Sequence, residues 1–326
     1  MKLFLAYLRL IRPFNLIMIA FTMDMVRYFF LKPINRFSDY SFVVSENTFM
    51  LFTLSFLLVA AAGYIINDYY DVEIDKINKP DKVIVGNTVS PLIALCSFWI
   101  LSIIGIVIGF WASTNAGVPF LGTLFIFYAV GLWAYSFKLK STFLAGNLII
   151  ALFLGLVPLA ASYIELQADL KSPDFITHYT SILPYRTGTW VIAGFAFLSS
   201  LIREVVKDME DTEGDKIAGC RTMPIVLGIK KVKIFVYLLL FVMLALLGFL
   251  QYWGWVAHYH MSVFYVFIFV EIPFIIVVWK LGKATGSKNF HNISTWLKII
   301  MVTGICCLFV FAYESNIALE LIRTDY

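Results

Sequence analysis

The sequence predicts an all-α protein, a multi-pass bundle of about nine transmembrane helices. Composition is the first reason: of the 326 residues, 61% are hydrophobic and 14% are charged, and the mean hydropathy is +0.86. Soluble domains carry about a quarter charged residues, so this chain belongs in a membrane. No linker or low-complexity stretch divides the sequence. We therefore expect residues 1–326 to form a single domain.

Nine apolar stretches supply the predicted helices. A transmembrane helix needs roughly 20 mostly apolar residues. The stretches lie near 14–31, 49–66, 91–111, 119–137, 143–163, 188–203, 232–254, 262–280 and 296–313. The first follows three basic residues, as the apolar core of a signal peptide would. No small-residue cleavage site comes after it, so we expect a retained helix.

Basic residues predict the orientation. Cytoplasmic loops of membrane proteins carry an excess of Lys and Arg. With the N-terminus in the cytoplasm, 19 of the 25 Lys and Arg residues fall on that side. We therefore expect an integral protein of the plasma (inner) membrane, with loops 68–90 and 204–230 facing the cytoplasm. The net charge of +4 follows from this asymmetry and does not indicate nucleic-acid binding.

Two acidic clusters with the same spacing interrupt the apolar pattern. Both have the form D-x-x-D-x-x-x-D at the cytoplasmic end of an apolar stretch, and a basic loop follows each. The clusters are Asp68, Asp71 and Asp75, and Asp208, Asp211 and Asp215. Residues i, i+3 and i+7 of a helix project to one side, so each trio shares a face if the helix continues past the membrane. The repetition suggests two related four-helix halves.

Carboxylates arranged in this way indicate a Mg²⁺ site. Mg²⁺ in enzymes is typically held by a few carboxylates, waters and substrate phosphates. Asn67 lies at the edge of the first cluster, and Lys207 takes its place in the second. An aspartate in a cytosolic loop is usually only a solvated surface residue, and that explanation stays open for each one singly. The repeated spacing favours a metal site that uses both clusters.

Six carboxylates at one end of a bundle require positive charge between them. Metal ions that also bind a diphosphate do not supply enough positive charge to balance these carboxylates. Basic side chains should therefore lie close to the carboxylates as well. The candidates are Lys138, Lys140, Arg203, Lys207 and Arg221. Taken singly, a basic residue at such a place more often serves only to set the topology. A diphosphate held at the mouth of an apolar bundle implies a substrate with a long apolar tail. Prenyl diphosphates fit, with metal-assisted loss of diphosphate leaving an allylic carbocation for a nucleophile.

Both clusters with their flanks resemble the signature motifs of the UbiA superfamily of intramembrane prenyltransferases. NDYYDVEIDKINKPDK is similar to the first motif and KDMEDTEGDKIAGCRTMPIVLG to the second. The resemblance implies a nine-helix bundle, a central cavity under a cytoplasmic cap, two Mg²⁺ ions, and prenyl transfer to a lipophilic acceptor, with no obligatory protein partner. By position it implies catalytic roles for the six aspartates and these metal ligands: Asn67, Asp71, Asp75, Asp211 and Asp215. Asp68 and Asp208 would support the metals directly or through water.

Three segments are most similar to the archaeal branch that prenylates geranylgeranylglyceryl phosphate: IRPFNLIMI, REVVKDMEDTEGD and RTMPIVLG. That similarity implies geranylgeranyl diphosphate as donor, with Arg12 and Asn15 beside the acceptor. The chain departs from many relatives in having PDKVIVGNTVS where they have PDRPIPSG. Lys82 thereby loses the two-pronged geometry of Arg, which leaves the donor contacts and the prenyl chain length open.

Two other functions also remain open from the sequence. A prenyltransferase with an aromatic acceptor, as in quinone synthesis, would share every metal ligand and differ only in the acceptor pocket. A transporter would place its site near the middle of the membrane on broken helices, and Glu271 near Pro273 favours that alternative. Apart from Glu271 and Asp24, the predicted helix interiors carry no carboxylate, which favours the enzyme.

Overall fold

The computed structural model describes residues 2–33, 44–78, 83–169 and 175–324. In these residues the regular elements are helices. Their bounds are α1 Lys2–Leu10, α2 Pro13–Asp24, α3 Glu46–Tyr70, α4 Val72–Asn78, α5 Pro91–Asn115, α6 Thr123–Phe137, α7 Ala145–Asp169, α8 Phe175–Glu210, α9 Thr212–Ile217, α10 Met223–Leu227, α11 Ile229–Val256, α12 His260–Val266, α13 Ile272–Lys283 and α14 Ser287–Thr324. A π-helical segment, Met25–Leu31, extends α2, and a second one, Phe267–Glu271, joins α12 to α13.

Nine helical segments of the described chain are long and apolar enough to cross a membrane, which confirms the predicted bundle. They are Pro13–Leu31, Glu46–Tyr70, Pro91–Asn115, Pro119–Phe137, Ala145–Leu166, Thr187–Glu210, Ile229–Val256, His260–Lys283 and Ser287–Ala318. Several run further than the apolar stretches of the sequence. The longer helices bring further carboxylates into the spans. Glu165 and Glu204 are two of them, and the sequence had placed both just beyond the helix ends.

Local signals explain where two of the long helices begin. The Ser45 hydroxyl accepts a hydrogen bond from the backbone N–H of Thr48 at 3.2 Å, and this contact caps α3. At the start of α5, the Ser90 hydroxyl accepts from the N–H of Ile93 at 3.3 Å, with Pro91 as the first helical residue. Such caps satisfy backbone donors that have no partner within the helix.

The contact between α3 and α5 depends on small residues. A Cβ atom added at Gly105 of α5 would lie 2.8 Å from the Val59 side chain and 3.2 Å from the Ser55 carbonyl oxygen of α3. Small residues allow membrane helices to approach closely, because packing rather than hydrophobic exclusion holds them together. Aromatic rings fill the space between α3 and α6, where Phe56 packs edge-on against Phe125 with centroids 4.9 Å apart.

A buried ion pair holds the end of the bundle at which α2 finishes. Arg27 is fully buried, and its Nε lies 3.1 Å from an oxygen of Glu165 in α7. Its Nη2 donates to the carbonyl oxygen of Val44 at 2.6 Å, and the guanidinium stacks 4.3 Å from the centroid of the Phe49 ring. Breaking such a pair from one side leaves an uncompensated buried charge, so this cluster fixes α2 against α3 and α7.

Candidate active site

Both acidic motifs lie where a long helix bends. α3 ends at Tyr70 and α4 begins at Val72, so Asp71 lies between them with φ −89° and ψ 0°. Asp211 occupies the equivalent place between α8 and α9, with φ −93° and ψ 7°. The condition of one continuous helix through each motif is not met, because the helix is interrupted at the central aspartate, in nearly the same backbone conformation both times.

Hydrogen bonds nevertheless keep the helical spacing across each bend. The N–H of Asp71 donates to the carbonyl of Asn67 at 2.9 Å, and that of Asp75 donates to Asp71 at 2.7 Å. The second motif repeats the pattern from Asp211 to Lys207 at 2.9 Å and from Asp215 to Asp211 at 3.1 Å. The four-residue hydrogen-bond spacing of an α-helix therefore continues through each motif, although the helix is interrupted at the central aspartate.

Contacts between loops bring the two motifs to the same end of the bundle. The short helices α4 and α9, which follow the two bends, pack against each other. The N–H of Arg221 donates to the carbonyl of Ser141 at 2.8 Å, which joins the loop after the second motif to the turn that carries Lys140. Lys140 in turn contacts the first motif, so one turn links both motifs.

The carboxylates of the first motif contact fixed cations. Arg12 Nη2 donates to Asp68 Oδ1 at 2.6 Å, and Lys140 Nζ donates to Asp71 Oδ1 at 2.5 Å. The Asn67 amide donates to the other oxygen of Asp71 at 2.8 Å. Burial acts to lower the pKa of the Arg12 guanidinium, but the adjacent Asp68 carboxylate and Tyr64 more than reverse that effect and raise it.

Arg12 reaches Asp68 from an unusual backbone conformation. It lies between α1 and α2 with φ 53° and ψ 64°, in the left-handed region that side chains other than glycine rarely adopt. Strain of this kind costs on the order of 1–3 kcal/mol and is concentrated at functional sites. The bend aims the guanidinium at the first motif and across the ring of Tyr64, 5.0 Å from its centroid.

The second motif has a different set of partners. Asp208 accepts a hydrogen bond at 2.8 Å from the neutral amide of Asn147 in α7. The two basic residues nearby turn to a different carboxylate, because Glu204 pairs with Arg203 at 2.8 Å and with Lys207 at 3.0 Å. Glu204 is itself buried. Within the described part of the chain, the first aspartate of the second motif therefore has no counterpart of the Arg12 contact.

A cavity of about 330 Å³ opens beside the motifs. Its polar end is lined by Arg12, Asn15, Tyr64, Asn67, Tyr135, Arg203, Glu204, Lys207 and Lys298. Its remaining wall is apolar and aromatic, and includes Ile19, Phe56, Tyr128, Phe153, Val157 and Ile305. A cavity with one charged end and one long apolar wall suits an amphiphile whose head group lies beside the acidic motifs.

The residues present fit Mg²⁺. Carboxylate and amide oxygens are the ligands this ion prefers, and two helices that pack together carry them. Asp208 has a neutral partner, while the negative charges of Glu204 and Asp215 act on it, so a cation at this place would be stabilised. Among the described residues, no three His, Cys, Asp or Glu side chains are close enough together to hold an ion; Arg12 and Lys140 occupy two of the carboxylates.

Most of the basic residues that the sequence suggested lie at the site, but they differ in exposure and in their ion-pair partners. Lys140 contacts Asp71, whereas Lys138 is exposed and does not line the cavity. Arg203 and Lys207 line the cavity but are paired with Glu204. Arg221 is exposed, although its backbone joins the two loops. Lys82 lies outside the described residues.

Sequence reasoning missed five polar residues that the fold brings to the site: Tyr64, Tyr135, Asn147, Glu204 and Lys298. Glu204 had a detectable signal, because it precedes Lys207 by three residues and therefore shares its helical face. Asn147 and Lys298 lie far from the motifs in sequence, in α7 and α14, and no local pattern singles them out. Packing between helices alone assembles them.

Residues 40–297 match the UbiA prenyltransferase family. The chain belongs to this family, and it is an integral multi-pass membrane prenyltransferase. The transporter alternative is therefore not supported.

Among similar proteins are two digeranylgeranylglyceryl phosphate synthases. The one from Methanobrevibacter smithii is 29% identical over 306 residues, which cover 93% of this chain and 95% of that protein. The one from Methanospirillum hungatei JF-1 is 32% identical over 263 residues, covering 79% of this chain and 83% of that protein. These are relatives of the branch that the three sequence segments resemble.

Solved structures share the fold. A structure of digeranylgeranylglyceryl phosphate synthase matches with a TM-score of 0.60 at 24% identity, covering 96% of this chain and all of that one. A UbiA homologue from Archaeoglobus fulgidus bound to GPP and Mg²⁺ matches with a TM-score of 0.54 at 15% identity, covering 93% and 99% of the two chains. At these identities the likeness shows a shared fold.

Proposed function

We propose that the protein transfers a geranylgeranyl group from its diphosphate to geranylgeranylglyceryl phosphate. One observation carries the proposal: two identically bent acidic motifs meet beside the charged end of an otherwise apolar cavity. The relatives named digeranylgeranylglyceryl phosphate synthase support this acceptor. The GPP and Mg²⁺ bound in the Archaeoglobus fulgidus homologue support a prenyl diphosphate donor and dependence on Mg²⁺.

The proposed Mg²⁺ ligands are divided between the motifs, with two ions in total. One ion would be held by Asn67, Asp71 and Asp75, and the other by Asp211 and Asp215. Bound there, Mg²⁺ would neutralise the diphosphate and make it a better leaving group. Asp68 and Asp208 would support these ligands from outside, each fixed by its own partner, Arg12 or Asn147.

Other side chains of the protein contact the diphosphate and enclose the prenyl tail. Lys140 lies beside Asp71. With Asp71 serving as a Mg²⁺ ligand, the ammonium group of Lys140 would be free to contact a diphosphate oxygen. The aromatic wall, including Phe56 and Phe153, encloses the prenyl tail and excludes water from the reacting carbon. Aromatic faces also stabilise a developing cation. The carbon–oxygen bond to diphosphate breaks, an ether bond to the acceptor hydroxyl forms, and the hydroxyl proton is released.

The decisive test of this function is product identification. Purified protein in detergent with Mg²⁺ is offered several prenyl diphosphates with either geranylgeranylglyceryl phosphate or aromatic acceptors, and products are identified by mass. We expect a new ether lipid from geranylgeranyl diphosphate and the glyceryl phosphate, and none in excess EDTA. Product only with aromatic acceptors would assign the chain to the quinone-type reaction instead, and full activity in EDTA would contradict the metal site.

The proposal includes an orientation: a single domain in the plasma membrane with the motifs facing the cytoplasm. Cys220 is a poor probe of this, because burial and the nearby Asp215 raise the pKa of its thiol. Ala218 is exposed in the loop after the second motif, and Ala257 is exposed at the opposite end of α11. In a cysteine-free background, a membrane-impermeant thiol reagent should label Ala257→Cys in intact cells and Ala218→Cys only after permeabilisation. The reverse pattern would overturn the orientation.

A further inference from the structure

Lys298 is a cavity residue that the metal site does not use. It lies in α14, and its side chain lines the polar end of the cavity. The ammonium group donates to the Asn15 amide oxygen at 3.0 Å and lies 4.2 Å from the centroid of the Phe14 ring. Its contacts are therefore to a neutral amide and an aromatic face, both on α2.

The other cations of the cavity are already paired. Arg12 contacts Asp68 at 2.6 Å. Arg203 and Lys207 share Glu204. Among the residues that the structure describes, Lys298 is the cavity cation with no carboxylate partner within ion-pair distance. Its charge remains available to an incoming anion.

The surroundings of Lys298 are positively charged. The charges of Arg203, Arg12 and Lys207 all act on its ammonium group. The carboxylates in contact with these cations are Glu204 on the cavity wall and Asp68 behind Arg12, and neither lies within ion-pair distance of Lys298. An incoming phosphate monoester, which is an anion near neutral pH, would therefore meet the positive charge of Lys298 directly.

The donor and the acceptor each bring an anionic head and need separate cations. The donor diphosphate is served by the motifs with Lys140, which lies in the turn between α6 and α7. Lys298 lies on a different helix and faces α2. Since no carboxylate of the described residues pairs with it, Lys298 suits an anion that must stay apart from the acidic motifs.

We infer that Lys298, oriented by Asn15, binds the phosphate of the lipid acceptor and so selects phosphorylated over neutral acceptors. This inference rests on the proposed function and deepens it. It assigns to α14 the role that the sequence assigned to Arg12, whose charge Asp68 has already taken.

The test measures acceptor binding separately from turnover. Binding of geranylgeranylglyceryl phosphate and of its dephosphorylated analogue is measured in detergent without donor or Mg²⁺, for wild type, Lys298→Met and Lys298→Arg. The control is Lys288→Met, which removes an exposed charge from the same helix. KM values for donor and acceptor are then measured for the same proteins.

Loss of one charge-assisted hydrogen bond should weaken binding of the phosphate acceptor by roughly tenfold to a hundredfold in Lys298→Met. Binding of the dephosphorylated analogue and the KM for the donor should stay within about twofold of wild type. The Arg variant should recover most of the loss, and Lys288→Met should behave as wild type.

Equal loss for both acceptors, a rise only in the donor KM, or a wild type that does not prefer the phosphate would each overturn the inference. The proposed function can fail separately. If the wild type binds the phosphate through Lys298 but forms no ether product, the anion site stands and the reaction is wrong. If product forms but phosphate preference survives in Lys298→Met, the reaction stands and the site is wrong.

Discussion

The two acidic motifs have one backbone and two electrostatic environments. Each bends at its central aspartate, with nearly the same dihedral angles and the same hydrogen-bond spacing. Their first aspartates occupy equivalent positions but meet different groups. Asp68 meets the guanidinium of Arg12, and Asp208 meets the neutral amide of Asn147.

This difference indicates that the two motifs contribute differently to the site. In the first motif, a protein cation already neutralises one carboxylate, and through Arg12 the motif is tied to the start of α2. In the second motif a neutral amide orients the equivalent carboxylate, and no cation of the described residues contacts it. We expect the second motif to depend more strongly on a mobile cation, and the first to couple the metal site to the acceptor side.

The largest expected effect comes from removing a proposed ligand in either motif. Asp71→Asn and Asp215→Asn should each lower kcat by roughly a thousandfold or more, because a metal ion stabilises transition-state charge by several kcal/mol. Glu73→Gln is the matched control, since Glu73 is exposed and, among the described residues, forms its ion pair with Lys76. Near-normal turnover in either Asn variant would show that the motifs do not act together.

The second-largest expected effect is a difference in Mg²⁺ dependence between the two motifs. Asp208→Asn should raise the Mg²⁺ concentration needed for half-maximal activity by roughly tenfold to a hundredfold, as is typical when a group supporting metal ligands is lost. Asp68→Asn should raise it less, because Arg12 has already neutralised that carboxylate. Mg²⁺ titrations of both variants check this, and equal shifts would remove the proposed asymmetry.

A smaller, non-additive effect is expected at the Arg12 contact. If Arg12 acts by holding Asp68, then Arg12→Met and Asp68→Asn should raise the acceptor KM by similar factors. The double variant should be no worse than either one, with a coupling of roughly 0.5–3 kcal/mol. Steady-state kinetics on the three variants measures it. Additive losses would mean that Arg12 contacts the acceptor itself, as the sequence suggested.

The smallest effect concerns two neighbouring lysines. Lys140→Met should raise the donor KM by about tenfold, which corresponds to one charged hydrogen bond. Lys138→Met should change it little, because that side chain is exposed and does not line the cavity. Similar losses in both would show that general positive charge at this end, and not the contact with Asp71, promotes donor binding.

The sequence predicted those features that depend on residues close together in the chain. Membrane solvation forces long apolar helices, so the nine spans could be recognised from hydropathy alone. The acidic spacing identified both motifs. It could not show the bends at Asp71 and Asp211, because the four-residue hydrogen-bond spacing that the sequence implies survives them.

Pairing across helices could not be read from the chain. Lys140 and Lys138 look equivalent in sequence, and only the fold turns one toward Asp71 and leaves the other exposed. The same is true of Arg12 and Lys298: both are basic residues near helix ends or in spans, and their distinction depends on whether a carboxylate from another helix reaches them. Such contacts are set by packing between distant segments.

If both motifs hold metal around one diphosphate, Mn²⁺ offers the most direct measurement of it. With Mn²⁺ in place of Mg²⁺ and a non-hydrolysable prenyl diphosphate analogue, electron paramagnetic resonance should show two bound ions with strong spin–spin coupling, as expected for ions about 4 Å apart. Asp71→Asn or Asp215→Asn should leave a single uncoupled ion. Two uncoupled ions in the wild type, or a coupled pair that survives either substitution, would contradict the account.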